Sequence, residues 1–205
     1  MKKLIHGIVE FREKVRPGYK ETFAKLALGQ APDALFVCCS DSRVAPNVFA
    51  STDPGDLFVV RNVGNIIPPC DEYGVSKSDE SEAAAIEFAL ETLDVANIIV
   101  CGHSECGAMV ATLRGRSLVQ APNLRSWLRH SDVALRFLNS PADAPQSLAI
   151  KFEEAQVAHN RLSQINVLTQ LENLKSYPAV KKRLESGDLA LHAWWFDIGE
   201  AEVLA

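Results

Sequence analysis

Ala34-Leu35-Phe36-Val37-Cys38-Cys39-Ser40-Asp41-Ser42-Arg43 is the stretch on which the fold turns. Its first six residues are apolar, with no alternation of apolar and polar positions. A run this short and this uniform suits a strand buried on both faces, as in a parallel sheet. Leu57-Phe58-Val59-Val60 and Asn97-Ile98-Ile99-Val100-Cys101 repeat the pattern. Strands alternating with helical segments predict an α/β domain whose central sheet has about four parallel strands plus an antiparallel C-terminal strand, flanked by helices. In such sheets ligands bind beyond the carboxyl ends of the strands. The chemistry is therefore expected just after Cys39 and just after Cys101.

Working outward, residues 2 to 28 predict helices, with Ile5, Ile8, Val9 and Phe11 on one face and a break around Pro17-Gly18. A loop rich in Gly, Pro and Asn is expected from Asn62 to Ser78, then a helix from Asp79 to Leu93. Asp79 and Glu82 have the spacing of a capping box. Helices are expected over Leu124–Phe137 and Ala149–Leu174, with a surface loop from Asn139 to Gln146 between them. A short helix opens at Pro178 and stops at Gly187. Leu189 to Phe196 is the next strand, and Glu202-Val203-Leu204 pairs with it as a hairpin after Gly199. One domain over residues 1–205 is predicted, a helical arm (1–30) followed by an α/β metal-binding core (31–205).

Composition excludes several functions. A net charge of -5 gives no footprint for nucleic acid. No run of about 18 apolar residues exists to span a membrane, and the Met1-Lys2-Lys3 start leads into an amphipathic helix, not an export signal. Five cysteines is an odd number and forms no disulfide framework, which points to the reducing cytoplasm and to metal or catalytic roles.

The second strand-end segment is Cys101-Gly102-His103-Ser104-Glu105-Cys106-Gly107. A cysteine at one strand end plus His-x-x-Cys in the neighbouring turn supplies three soft ligands. Zinc takes such ligands tetrahedrally, and a catalytic zinc keeps its fourth position open. Cys38 and Cys39 point to opposite faces of an extended strand, so only one can aim at the site. Cys39, nearer the strand end and the Asp41 turn, is the better placed. Cys106 shares its turn with His103, whereas Cys101 closes the strand. Cys38 and Cys101 are then buried structural thiols. Asp41 and Arg43 suit a dyad in which the guanidinium keeps the carboxylate ionised and oriented. Cys70, beside two prolines in a polar loop, reads as an exposed thiol. His159 and His192 lie on apolar segments and read as core or hydrogen-bonded histidines, and Trp194-Trp195-Phe196 as sheet core or dimer contact.

Three segments together, Cys39-Ser40-Asp41-Ser42-Arg43, Phe58-Val59-Val60-Arg61-Asn62-Val63-Gly64-Asn65 and Gly102-His103-Ser104-Glu105-Cys106-Gly107, resemble the signature of the β-class carbonic anhydrases in order and spacing. The resemblance runs through Val203. Phe36-Val37-Cys38-Cys39-Ser40-Asp41-Ser42-Arg43, Asn65-Ile66-Ile67-Pro68-Pro69 and Gly187-Asp188-Leu189-Ala190-Leu191-His192 are similar to the plant-like subclass and to the cyanobacterial, carboxysome-associated branch and its bacterial relatives. The resemblance implies one zinc ion per subunit on Cys39, His103 and Cys106, with Asp41 and Arg43 as the catalytic dyad. It implies hydration of CO2 to bicarbonate and a proton by hydroxide generated at the zinc. It also implies Gln30, Phe58, Val63 and Gly107 as substrate-pocket residues. Gln30 and Phe58 would serve the partner's zinc across a homodimer or larger homo-oligomer, on which the N-terminal helices pack. A second subclass carries a Trp–Arg–Tyr bicarbonate site. Arg61 is present here, but Phe36 and Phe196 stand for the other two, so no such regulation is expected and Arg61 reads as a buried ion-pair or loop-binding arginine. Cytoplasmic location is expected, and the resemblance to this branch leaves open whether the protein is free in the cytosol or in a carboxysome with its proteins as partners. Two rival readings keep the same fold: a hydrolase of CS2 or COS, and an inactive, structural carboxysome-associated homologue.

Overall fold

The computed structural model describes residues 1–78, 80–144 and 156–205. Its centre is a five-stranded sheet in the order β2-β1-β3-β4-β5. β1 (Ala34–Cys39) lies between β2 (Leu57–Asn62) and β3 (Asn97–His103), and β4 (Ala190–Asp197) follows β3, all parallel. β5 (Glu202–Leu204) returns antiparallel along β4. The predicted sheet is thus present, with β2 and β3 each running two residues past the expected ends. Those extra residues bring Asn62 level with Cys39 and make His103 the last residue of β3.

Every residue of β1 is buried, as expected of a strand covered on both faces. Leu35, Val37, Ile98 and Val100 face a core built with Ile86, Leu90, Val167 and Val180. These come from α4 (Glu80–Glu87), the turn after it, α8 (Ala158–Leu174) and α9 (Pro178–Ser186). Phe36, Cys38, Ile99, Cys101 and Phe196 face the other way, against Val44 and Phe49. Phe49 belongs to the short α3 (Pro46–Phe49) and stacks on Phe196 with ring centroids 4.7 Å apart. The strict alternation is what separates Cys38 from Cys39.

The N-terminal arm departs from expectation. α1 (Lys2–Glu10) does not break at Pro17-Gly18 but passes through a π-helical turn, Phe11–Val15, into α2 (Arg16–Leu26). Proline cannot donate to the carbonyl four residues back, and its ring crowds that carbonyl. The wide turn, in which the Arg16 N–H reaches the Phe11 carbonyl, absorbs the misfit without ending the helix. Neither α1 nor α2 has a buried residue, so the arm stands off the body.

α4 likewise continues through a π-helical turn, Phe88–Thr92, to the expected end near Leu93. Asp79, the expected cap, lies outside the described residues. The single helix expected over Leu124–Phe137 is divided: α6 (Pro122–Trp127) and α7 (Asp132–Asn139) are joined by a tighter 3-10 turn, Leu128–Ser131, that buries Leu128. α8 begins at Ala158, with residues 156 and 157 outside the helix. The expected start at Ala149, and the end of the Asn139–Gln146 loop, lie outside the described residues. Gly187 ends α9 with φ +80, the left-handed conformation that glycine adopts without penalty. Among the described residues no helix is long and apolar enough to cross a membrane.

Candidate metal centre

Parallel strands bring their carboxyl ends to one side, and there β1 delivers Cys39 and β3 delivers His103. The chain then turns through Ser104 and Glu105, and Cys106 stands at the start of α5 (Gly107–Arg114). The ligand atoms of Cys39, His103 and Cys106 all lie within 4.8 Å of one another, and all three residues are buried. Among the described residues this is the one such cluster of His, Cys, Asp and Glu.

The donor chemistry fits a soft divalent cation. His103 Nδ1 donates to the Ser104 carbonyl at 2.8 Å, which fixes the tautomer. Its Nε2 is buried with no hydrogen-bond partner. An orphaned imidazole nitrogen beside two sulfurs costs free energy unless something coordinates it. Cys39 is driven well below the usual thiol range, first by a hydrogen bond from Cys106 and then, against the burial penalty, by His103 and the Gly64 and Asp41 amides. The Gly64 N–H lies 3.4 Å from Cys39 Sγ. Cys106 is pushed the other way, by that same contact and by burial. A cation among the three would hold both sulfurs as thiolates.

The remaining cysteines behave differently. Cys38 and Cys101 are paired in register on the opposite face. Burial pushes Cys38 up to about 12 and Cys101 higher still, so both stay inert thiols. Cys70 corrects the sequence expectation: it is 4% exposed. Its Sγ–H donates to the Ser176 carbonyl, and its N–H to Ser176 Oγ. These two bonds tie the loop inward to Ser176, just past the end of α8.

Asp41 and Arg43 form a two-pronged pair. Arg43 Nε donates to Asp41 Oδ1 at 2.9 Å and Nη2 to Oδ2 at 2.7 Å, while the Arg43 N–H adds a third bond. The Arg43 side chain holds the Asp41 carboxyl well below the usual carboxylate range. Arg61 donates to the carbonyls of Cys39 and Asp41, the loop-binding role expected of it. At the positions of the second subclass's bicarbonate site, Phe36 and Phe196 both pack against the Phe49 ring.

Val63 sits at the rim, 43% exposed, its carbonyl held by Trp127 Nε1 at 2.7 Å. Gly107 is exposed, and a Cβ there would meet no atom within 4 Å, so open space lies beside the cluster. Gln30 and Phe58 are not brought to this site. Phe58 pairs with Leu35, four residues before the strand end, and packs against Phe88 with centroids 5.7 Å apart. Gln30 precedes β1 and is exposed.

Sequence reasoning missed the polar residues of α8. Asn160, Ser163, Asn166 and Gln170 are buried yet polar. Ser163 Oγ donates to the His103 carbonyl, Asn166 Nδ2 to the Gly64 carbonyl, and Gln170 Oε1 accepts from the Ile67 N–H. Asn173 Nδ2 reaches the Ile67 carbonyl. Their spacing of three and four residues was the available signal. His159 and His192 are hydrogen-bonded, to Glu105 and Asn97 respectively.

The fold and site define a class: an α/β protein with a buried Cys–His–Cys metal centre at the strand ends and an ionised carboxylate beside it. Residues 34–203 match the family model described as carbonic anhydrase. A carbonic anhydrase of Synechocystis is 44% identical over all of this chain and 70% of its own length. That of Pseudomonas aeruginosa is 40% identical, over 99% of this chain and 86% of its own. The solved β-carbonic anhydrase CcaA superposes with a TM-score of 0.86 at 43% identity, covering all of this chain and 86% of that one. The chain belongs to the carbonic anhydrase family, in its β class.

Proposed function

We propose that the chain catalyses the reversible hydration of carbon dioxide with one zinc ion held by Cys39, His103 and Cys106. The observation that carries this reading is the buried three-ligand cluster with its orphaned imidazole nitrogen, standing next to an ionised Asp41. Two sulfurs and one nitrogen suit zinc, and three protein ligands are the pattern of catalytic zinc sites. Bound there, zinc supplies the Lewis acidity that makes water a nucleophile near neutral pH.

The chain's own residues do the rest. Asp41, kept ionised by Arg43, accepts a hydrogen bond from the attacking water and aims its remaining lone pair at the substrate carbon. Val63 and the open space over Gly107 admit a small uncharged molecule. Gln30 donates to a substrate oxygen and Phe58 closes the apolar wall, both from a second subunit. Within one chain Phe58 sits four residues down the sheet from Cys39's level, so a homodimer or larger homo-oligomer supports this role. Five free cysteines support a reducing, cytoplasmic setting. Carboxysome proteins as partners rest on the sequence resemblance to that branch.

The two rival readings are less well supported, since relatives that align with nearly all of this chain at 40 and 44% identity carry the name carbonic anhydrase. Stopped-flow CO2 hydration with zinc content measured on the same samples tests the proposal. The wild type should be active, and Asp41→Ala should keep its zinc while losing about ten- to a hundredfold in activity. A fully zinc-loaded wild type without activity would sink it, and turnover of CS2 or COS in its place would favour the hydrolase.

A further inference from the structure

Glu105 lies between two ligands, His103 and Cys106, and has φ +56, a left-handed conformation that a residue with a side chain adopts only when its surroundings hold it there. Its peptide groups are both engaged. The Glu105 N–H donates to Asn160 Oδ1 at 2.8 Å. The Glu105 carbonyl accepts from Arg43 Nη2 at 3.0 Å, the same nitrogen that binds Asp41 Oδ2. Its carboxylate accepts from His159 Nε2 at 3.0 Å and from Asn160 Nδ2 at 3.4 Å.

The weights of these contacts differ. Glu105's side chain is 56% exposed, so its ion pair with His159 is screened and weak. Asn160 is buried at 9% exposure, and its amide serves both the backbone and the side chain of Glu105. One turn further along the same face, Ser163 holds the His103 carbonyl. The first turns of α8 thus set the pose of the whole ligand turn.

We propose that Asn160 is a positioning residue for the Asp41–Arg43 dyad, acting through the Glu105 peptide. Asn160 fixes the plane of the turn so that the Glu105 carbonyl faces Arg43, and that second acceptor keeps the guanidinium square to the Asp41 carboxylate. Without it Arg43 turns toward solvent and Asp41 is released toward the metal position. The inference rests on the proposed metal site.

The test compares wild type, Asn160→Ala, Asn160→Asp and the exchange Asn160→Asp with Glu105→Gln. The exchange reverses donor and acceptor between the two side chains, yet still offers an oxygen to the residue-105 N–H. Three readouts are taken on each: bound metal per chain, the visible absorption of the cobalt(II)-substituted protein, and kcat/KM for CO2 hydration. Asn160→Ala should keep its metal, change the cobalt spectrum as a carboxylate takes the fourth position, and lose about tenfold in kcat/KM. The exchange should return the wild-type spectrum and recover kcat/KM relative to Asn160→Asp alone. An Asn160→Ala protein with a wild-type spectrum overturns the inference, and so does one that loses its metal, since Asn160 would then be supporting the ligands and not the dyad. Should Asn160→Ala fail to fold, the exchange against Asn160→Asp decides alone, and no recovery overturns it. A zinc-loaded wild type that does not hydrate CO2 sinks the proposed function only, because the cobalt spectra still report on Asn160.

Discussion

Cys38 and Cys39 are neighbours of one chemical kind, and only the pleat of β1 separates their fates. One faces Cys101 across the sheet, in an apolar layer that keeps it protonated. The other meets His103, Cys106 and the Gly64 amide. Cys39→Ser is therefore expected to abolish stoichiometric metal binding, whereas Cys38→Ala should keep its metal and lose only about 1 kcal/mol of stability. Elemental analysis and urea unfolding of the two variants check this. A Cys38 variant without metal would mean the strand alternation had been misassigned. For this pair the sequence was fully legible, because strand period and turn position depend only on local geometry. Cys70 was not legible, since whether a loop folds inward depends on distant partners, here Ser176.

At the scale of elements, α8 carries more than its share of the site. Asn166, Gln170 and Asn173 bond to the Gly64–Ile67 segment, which in turn gives its Gly64 amide to Cys39. Gln170→Leu leaves the Ile67 N–H buried and unpaired, and should cost about 1–3 kcal/mol in chemical unfolding. Below this segment Tyr177, 1% exposed, donates its hydroxyl to the Pro68 carbonyl. Burial pushes its pKa from 10.0 up to about 12. The unfolded chain therefore loses this proton first. Tyr177's contribution is full below pH 10 and declines as the pH rises toward 12. Tyr177→Phe should show a flatter loss of stability across that interval, read by urea unfolding at successive pH values. The sequence hid these interactions because a polar residue within a helix usually faces water. Only the packing of α8 on β3 and β4 turns this row inward.

For the whole molecule the unpartnered arm is the open feature. Ile5, Ile8 and Val9 of α1 are 57%, 60% and 45% exposed on one side of a helix that touches no core. An exposed apolar face of that kind marks an interaction site, and the proposed mechanism calls for a second copy to bring Gln30 and Phe58 to the zinc. Replacing Ile5 and Ile8 together by Glu should lower the mass in sedimentation to that of a monomer. The folded core should survive and CO2 hydration should fall, because Gln30 and Phe58 would no longer reach a partner's zinc. A monomeric variant with undiminished activity would show that each chain completes its own site.

The sequence by itself determined the parallel sheet, the strand that carries Cys39, the His103–Cys106 turn and the Asp41–Arg43 pair. Each rests on periodicity or on groups a few residues apart. The tertiary structure alone decided that Gln30 and Phe58 lie away from their own chain's cluster. It also decided that α8 bonds to the turn between His103 and Cys106. The bonds from α8 to that turn join residues 55 to 60 positions apart, and their energies come from burial and from closing hydrogen bonds that no local window contains.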